Sequence, residues 1–183
     1  MPNLPEFPFA RWKVVVFGIF IILIWGVRFE PASEVSASFE GSSLALNTAA
    51  ITQGYKVGHS GVDVAGKKGS VVKSFTSGTV VKVANEDNYC TGNGFGKYVM
   101  VEDDSGSYTF LYAHLDSFDV SEGDNVAEGE MLGTVGTTGK VTGPHLHLTV
   151  FKTSTLETKD HACGERLTGE TINPLKVLNT QTS

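Results

Sequence analysis

The pattern of apolar and polar positions sets the first thirty residues apart from the rest of the chain. Residues 14–27 form an unbroken apolar run of 14, which would span about 21 Å as a helix. With Lys13 and Arg28 snorkelling, residues 12–29 would span about 27 Å, close to the thickness of a bilayer's hydrocarbon core. The pattern therefore predicts a transmembrane helix over residues 12–29, within an N-terminal signal anchor of residues 1–30.

A cleaved signal peptide is the alternative, because it also combines a basic start with a short apolar centre. Such a peptide needs small residues directly after that centre, whereas residues 28–31 read Arg-Phe-Glu-Pro. We therefore favour an uncleaved, single-pass anchor in the cytoplasmic membrane, with Arg11 and Lys13 keeping the N-terminus in the cytoplasm. Both alternatives place residues 31–183 in the periplasm or at the extracellular face.

After a small, polar linker over residues 31–46, the pattern changes to short strand-like runs separated by Gly, Asn and Asp turn signals. Such runs predict strands at residues 70–73, 79–83, 97–102, 107–115, 131–135 and 145–151. No segment between residues 50 and 160 has the apolar period of a helix. We expect an all-β domain over residues 47–179, folded as an antiparallel β sandwich or partly open barrel, and a short tail of residues 180–183.

Composition agrees with a β domain rich in turns and excludes several classes of protein. Sixteen of the 21 glycines lie between Gly54 and Gly143. Residues 31–183 carry 11 basic and 18 acidic side chains, a net charge of −7. An acidic domain without a basic stripe argues against binding to nucleic acid, which needs clustered Lys and Arg. The composition also excludes a coiled coil, a collagen-like chain and a polytopic membrane protein.

The pair His59 and Asp63 is the first of three motifs that could contribute to a metal site. Both side chains are good zinc ligands, and in an extended chain they would point to the same face. Gly61 between them allows another backbone segment to approach closely. Alone this motif is weak evidence for a metal site, because a His and a carboxylate four residues apart are usually surface residues.

Histidines on two of the predicted strands provide the other motifs. His145, His147 and Thr149 share one face of the last strand, while the residues between them face the core. His114 ends a run whose alternate residues are aromatic. A catalytic zinc site has three protein ligands and a position for water, and two further histidines could accept the water's proton or stabilise the oxyanion. Spacing alone leaves open whether His145 or His147 binds the metal.

These motifs resemble those of the lysostaphin/LytM-type zinc endopeptidases of bacterial cell walls, and they span nearly all of the predicted β domain. The ordered set reads HSGVDVAGKKGSVVKSFTSGTV, GFGKYVMVE, LYAHL, GDNVAEGEMLGTVGTTGKVTGPHLHL and INP. The resemblance implies one zinc ion per chain, bound by His59, Asp63 and His147. It also implies that His114 and His145 are catalytic histidines that do not bind zinc.

The implied function is zinc-dependent hydrolysis of peptide bonds in peptidoglycan stems or cross-bridges, on the outer side of the cytoplasmic membrane. His145 would be the general base, assisted by His114, or His114 would instead stabilise the oxyanion. The implied partners are a peptidoglycan peptide as substrate and the membrane through the N-terminal segment. Two alternatives stay open: a non-catalytic wall-binding regulator of other wall hydrolases, and a phage- or conjugation-associated lysin within a larger envelope complex. The intact set of five residues argues against the regulator.

The two cysteines, Cys90 and Cys163, predict a disulfide bond because they form an even set in a domain that we place outside the cytoplasm. Both lie in predicted loops, and the bond would close about 70 residues, which contributes about 4 kcal/mol of stability. Two unpaired thiols are the alternative, since the family's framework does not require these cysteines. The remaining histidine, His161, is expected to be a solvated loop residue.

Overall fold

The computed structural model describes residues 51–181 of the chain. The predicted signal anchor, its transmembrane helix and the linker lie outside the described residues, as do the last two residues of the predicted tail. Within the described part, no helix has the length and the apolar character needed to cross a membrane.

The described chain consists of short strands, with one α-helix at its C-terminal end. In chain order the elements are β1 Ile51–Gln53, β2 Val62–Ala65, β3 Val71–Lys73, β4 Gly78–Asn85, β5 Lys97–Asp103, β6 Tyr108–Phe118, β7 Asn125–Val126, β8 Met131–Val135, β9 His145–Lys152, β10 Glu157–His161, β11 Gly164–Thr168, β12 Thr171–Ile172 and α1 Pro174–Gln181. All strand pairs among them are antiparallel. The prediction of an all-β, antiparallel fold with little helix is therefore confirmed.

All six predicted strands are present, with ends that differ by three residues at most. The hairpin of β10 and β11 was not predicted, because all five residues of β10 are polar and exposed and so show no alternation. Cys163 lies in the turn of this hairpin, which confirms that it lies in a loop, whereas His161 is the last residue of β10 and not a loop residue as expected. The prediction that His161 is exposed is confirmed.

Ten strands form one sheet, whose central path runs β1-β2-β9-β6-β5-β4-β7, while β10 and β11 form a separate two-stranded sheet. β6 is 11 residues long and pairs with β5, β8 and β9, and β3 joins the sheet by pairing with β8. Apolar clusters cover both faces of this sheet. Along β5, Val99 and Val101 belong to the larger cluster, whereas Tyr98 and Met100 belong to the smaller one, as expected when successive side chains alternate between faces.

The register of β9 determines where the motif side chains meet. Asp63 of β2 lies directly opposite His147 of β9. On the other side of β9, Ala113 of β6 also lies opposite His147. Opposite residues on antiparallel strands hold their side chains close together. This register therefore brings Asp63, and His114 directly after Ala113, to the strand that carries His145 and His147.

A disulfide bond joins Cys90 to Cys163, which confirms the prediction. The two cysteines are 73 positions apart. The bond connects the segment between β4 and β5 to the turn of the β10–β11 hairpin. It therefore attaches the separate two-stranded sheet to the main one by a covalent link.

Replacing both cysteines with serine is expected to lower the free energy of unfolding by about 4 kcal/mol, because the unfolded chain regains the entropy of an open loop. Denaturant titration of the variant and of the oxidised wild type measures the difference. The wild type under a reducing agent is the control and should match the variant. An equal free energy of unfolding for the variant and the oxidised wild type would contradict this prediction.

Candidate metal centre

The structure brings the five motif side chains together from separate segments of the chain. They lie on β2 (Asp63), on β6 (His114), on β9 (His145 and His147) and in the turn before β2 (His59). The turn is closed by a pair of backbone hydrogen bonds between Lys56 and His59. The chain between His59 and Asp63 is not extended throughout, because β2 begins only at Val62, yet the two side chains meet, with Nε2 of His59 3.1 Å from Oδ1 of Asp63.

Gly61 lets the turn that carries His59 lie directly against β9. A Cβ atom at this position would overlap the backbone oxygen of Leu148 and would lie 2.9 Å from Cε1 of His147. Real Cβ atoms essentially never come so close to another heavy atom. The predicted close backbone approach at Gly61 is therefore confirmed.

Oδ1 of Asp63 is the point on which three imidazole rings converge. It lies 2.7 Å from Nδ1 of His147, 3.1 Å from Nε2 of His59 and 3.6 Å from Nε2 of His145. The ligand atoms of His59, Asp63 and His147 all lie within 4.8 Å of one another. Neighbouring ligands of a tetrahedral zinc ion are about 3.4 Å apart, given bond lengths of about 2.1 Å. The distances from Oδ1 of Asp63 to the two imidazole nitrogens, 3.1 Å and 2.7 Å, are therefore close to the separation that zinc requires.

Additional hydrogen bonds fix which nitrogen each of these rings presents to Asp63. Nδ1 of His59 donates to the backbone oxygen of Gly54 at 3.0 Å, so Nε2 of a neutral ring carries the lone pair. Nε2 of His147 lies 2.9 Å from Oγ1 of Thr149, which leaves Nδ1 to face the carboxylate. A neutral His59 places its lone pair against a carboxylate oxygen, and a cation between the two stabilises that arrangement. The donor set and its outer hydrogen bonds fit a zinc ion.

His114 and His145 lie beside the three candidate ligands, with their ring centroids 4.9 Å apart. Nδ1 of His114 donates to the backbone oxygen of Thr138 at 2.8 Å, and Nδ1 of His145 donates to that of Gly143 at 2.9 Å. Nε2 of each neutral ring is therefore the nitrogen that can accept a proton. The structure thus gathers all five predicted residues into one site.

His114 has a backbone conformation that side chains rarely adopt. Its φ of 64° is the only positive φ of a non-glycine residue within residues 51–181. Its N–H donates to the backbone oxygen of Phe95 at 3.0 Å, and its carbonyl oxygen accepts from the N–H of Gly136 at 2.9 Å. Strained backbone persists only where its surroundings hold it, so these contacts hold the backbone from which the His114 ring projects.

The protonation states of Asp63 and His114 follow from their surroundings. Burial lowers the pKa of His114 to about 4, so its ring is neutral near pH 7. Burial alone would raise the pKa of Asp63, but the hydrogen bond from His147, together with the attraction of any protonated histidine beside the carboxylate, holds that pKa below its ordinary value. Asp63 is therefore ionised, which is the form that can bind a metal, and the ring of His114 is neutral, which is the form that can accept a proton.

Three further residues shape the site, and the sequence reasoning gave them no role. The ring of Phe95 stacks on His147, with centroids 5.8 Å apart and an interplanar angle of 29°. Thr149 and Thr138 hold the rings of His147 and His114. The alternation along β9 was a signal for Thr149, which lies on the face of the histidines. Phe95 and Thr138 contact the histidines from distant loops, and periodicity carries no signal for such contacts.

An all-β domain that gathers a His-Asp-His group and two further histidines has the arrangement of a metal-dependent hydrolase. The profile of Peptidase family M23 matches residues 57–162, more than half of the chain. The chain belongs to this family, which confirms the resemblance to lysostaphin/LytM-type peptidases.

Named proteins from several bacterial genera are similar to this chain. The DD-carboxypeptidase/endopeptidase Mpg of Neisseria meningitidis serogroup B is 34% identical over 119 residues, which covers 65% of this chain and 22% of that protein. Lysostaphin of Staphylococcus staphylolyticus is 40% identical over 89 residues, which covers 49% of this chain and 18% of lysostaphin. The solved catalytic domain of lysostaphin from Staphylococcus simulans matches with a TM-score of 0.53 and 28% identity, over 69% of this chain and 87% of that one. The chain spans about a fifth of the length of these curated relatives.

Proposed function

We propose that the chain is a zinc-dependent endopeptidase that hydrolyses peptide bonds in the stems or cross-bridges of peptidoglycan. The observation that carries this proposal is the convergence of His59 and His147 on Asp63, with His114 and His145 beside them. Membership of Peptidase family M23 supports the reaction class. The names of its relatives, among them a peptidoglycan DD-endopeptidase of Vibrio cholerae, support the substrate class.

The candidate ligands would hold one zinc ion through Nε2 of His59, Oδ1 of Asp63 and Nδ1 of His147. When bound, zinc lowers the pKa of a water molecule and polarises a substrate carbonyl. The backbone oxygen of Gly54 and the hydroxyl of Thr149 keep the two imidazole rings in their ligand orientation. The protein's own contribution to binding is thus a set of rings whose orientation is fixed before the metal arrives.

His145 is our choice for the general base, since its Nε2 faces the site while its Nδ1 is bonded to Gly143. This nitrogen accepts the proton of the attacking water and can then donate a proton to the leaving amine. His114 assists His145, since the centroids of the two rings lie 4.9 Å apart. A contact from His114 to the oxyanion would need a proton on its Nε2, because its Nδ1–H already donates to Thr138.

We place the domain on the outer side of the cytoplasmic membrane, held there by the anchor of residues 1–30. The bond between Cys90 and Cys163 supports this location, because disulfides persist in oxidising compartments and are rare in the cytoplasm. Peptidoglycan lies on the same side of that membrane, so the location and the proposed substrate agree.

Digestion of purified sacculi and of defined muropeptides tests the proposal. We expect soluble peptides with new amino termini, no release in the presence of a chelator, and recovery on addition of about one zinc ion per chain. Mass spectrometry of the products identifies the bond that is cleaved. Binding to sacculi without release would contradict an enzyme and favour a wall-binding regulator, whereas release that resists chelation would contradict the metal requirement.

A further inference from the structure

Phe95 connects the candidate metal centre to a part of the chain outside it. Its ring stacks on His147, with centroids 5.8 Å apart. Its carbonyl oxygen accepts a hydrogen bond from the N–H of His114 at 3.0 Å. A single residue therefore contacts a candidate ligand through its ring and a catalytic histidine through its backbone, and any displacement of Phe95 would move both.

Glu86 and Arg166 hold Phe95 in place. The N–H of Phe95 donates to Oε2 of Glu86 at 2.7 Å, and Nε of Arg166 donates to Oε1 of Glu86 at 2.6 Å. The guanidinium carbon of Arg166 also lies 4.5 Å from the centre of the Phe95 ring, within the range of a cation–π contact. The side chains of Arg166 and Glu86 are only 17% and 4% exposed, so salt screens this ion pair weakly.

Gly94 and Gly96 flank the phenylalanine and confine its backbone. Their φ angles are 64° and 63°, a region that side chains rarely adopt. A Cβ atom at Gly94 would overlap Oε2 of Glu86, and one at Gly96 would overlap Thr138. Thr138 is also the residue whose carbonyl oxygen accepts from Nδ1 of His114. The segment of residues 94–96 thus packs directly against the carboxylate of Glu86 and against Thr138, which holds the ring of His114.

The β10–β11 hairpin carries Arg166 to this position. Arg166 lies on β11, which pairs with β10 alone among the described strands. The hairpin turn contains Cys163, whose partner Cys90 comes four residues after Glu86. The disulfide and the ion pair therefore both join the β10–β11 hairpin to the segment between β4 and β5. That segment also contains Phe95.

The side chain at position 166 meets two requirements at once, an ion pair with the buried Glu86 and a contact with the ring of Phe95. Nη2 of Arg166 is buried and finds no hydrogen-bond partner among the described residues, and an unpaired buried donor costs stability. An apolar side chain could cover Phe95 without that cost, but it would leave the buried carboxylate of Glu86 without its cation. Only a planar guanidinium can bond to Glu86 through Nε while it also lies over the ring of Phe95.

We propose that Arg166 is a positioning residue of the metal centre, which acts through Glu86 and Phe95 to hold the ring of His147 in its ligand orientation. This inference rests on the proposed function, because it requires that His147 binds the metal. The hairpin then contributes to metal affinity, although none of its residues is a candidate ligand.

The affinity of the full-length chain for Co²⁺, followed by visible absorption, measures this effect without any need for catalysis. Arg166→Met and Phe95→Leu are each expected to weaken binding about tenfold, a typical loss when the support of a ligand is removed. The double variant should also be weakened only about tenfold, because the two residues act in series. Lys159→Met is the matched control, since Lys159 lies on the same hairpin and forms an exposed ion pair with Glu157. The control should bind Co²⁺ as the wild type does.

Arg166→Lys keeps the experiment decisive if Arg166→Met fails to fold, since it retains a charge for Glu86 but lacks the planar group over Phe95. It is also expected to weaken binding. Wild-type affinity in folded Arg166→Lys and Phe95→Leu would overturn the proposal, as would losses that multiply to about a hundredfold in the double variant. A lower melting temperature with unchanged Co²⁺ affinity would assign Arg166 to stability alone. Failure of the wild type to bind Co²⁺ would instead count against the proposed function.

Discussion

His145→Ala is expected to lose peptidoglycan hydrolysis by roughly 100- to 10,000-fold, the contribution of a general base, while it still binds one zinc ion. Nε2 of His145 lies 3.6 Å from Oδ1 of Asp63, whereas Nδ1 of His147 lies 2.7 Å from that oxygen. Removal of His145 therefore leaves the three candidate ligands in place. The rate of peptide release from sacculi and the zinc content by elemental analysis measure the two parts of this prediction.

His161→Ala is the control for this experiment, because His161 is exposed at the end of β10 and lies outside the site. It should retain both zinc and activity. Full hydrolysis by His145→Ala would refute the general-base role. Loss of zinc together with activity would show that His145 is a ligand, which contradicts the assignment of His147.

Asp63→Asn is expected to weaken zinc binding by more than about 100-fold, because loss of a residue that merely supports a ligand already costs about 10- to 100-fold. Oδ1 of Asp63 is the atom that His59 and His147 both approach, at 3.1 and 2.7 Å. The amide that replaces it is similar in shape but carries no charge. Hydrolysis should fall with the loss of zinc, and competition with a chelating dye measures the change in affinity.

Asp104→Asn makes the same chemical change in an exposed turn after β5 and should leave zinc binding unaltered. If Asp63→Asn bound zinc as tightly as this control, Asp63 would not be a ligand. A loss of affinity in both variants would point to net charge rather than to the site. The comparison therefore separates coordination from long-range electrostatics.

The alternation of apolar and polar residues along the chain predicted the strands that have one face in the core and are long enough to show this period. β9 is the clearest case, because Leu146 and Leu148 lie in the larger apolar cluster while His145 and His147 face the site. The same signal is absent from β10, whose side chains are all exposed. The hairpin that carries Arg166 was missed for this reason, although the cysteine count correctly predicted the disulfide beside it.

The pairing of strands is what the local pattern could not supply. Alternation treats His145 and His147 alike, because both project from the same face of β9. The register with β2 distinguishes them, since Asp63 lies opposite His147 and Ala65 lies opposite His145. That register depends on the packing of the whole sheet, so no local sequence window contains it. The position of His59 in a turn likewise depends on the close approach of β9 to Gly61.

The separation of the candidate ligands along the chain makes the candidate metal centre a late product of folding. Asp63 and His147 are 84 residues apart, and they meet only once β9 has inserted between β2 and β6. Pairing between such distant segments forms slowly, because a long loop must close first. A chain that ends before β9 carries two of the three candidate ligands and no centre. Under the proposed function, nearly the whole domain would therefore have to be synthesised and folded before any metal-dependent hydrolysis could begin.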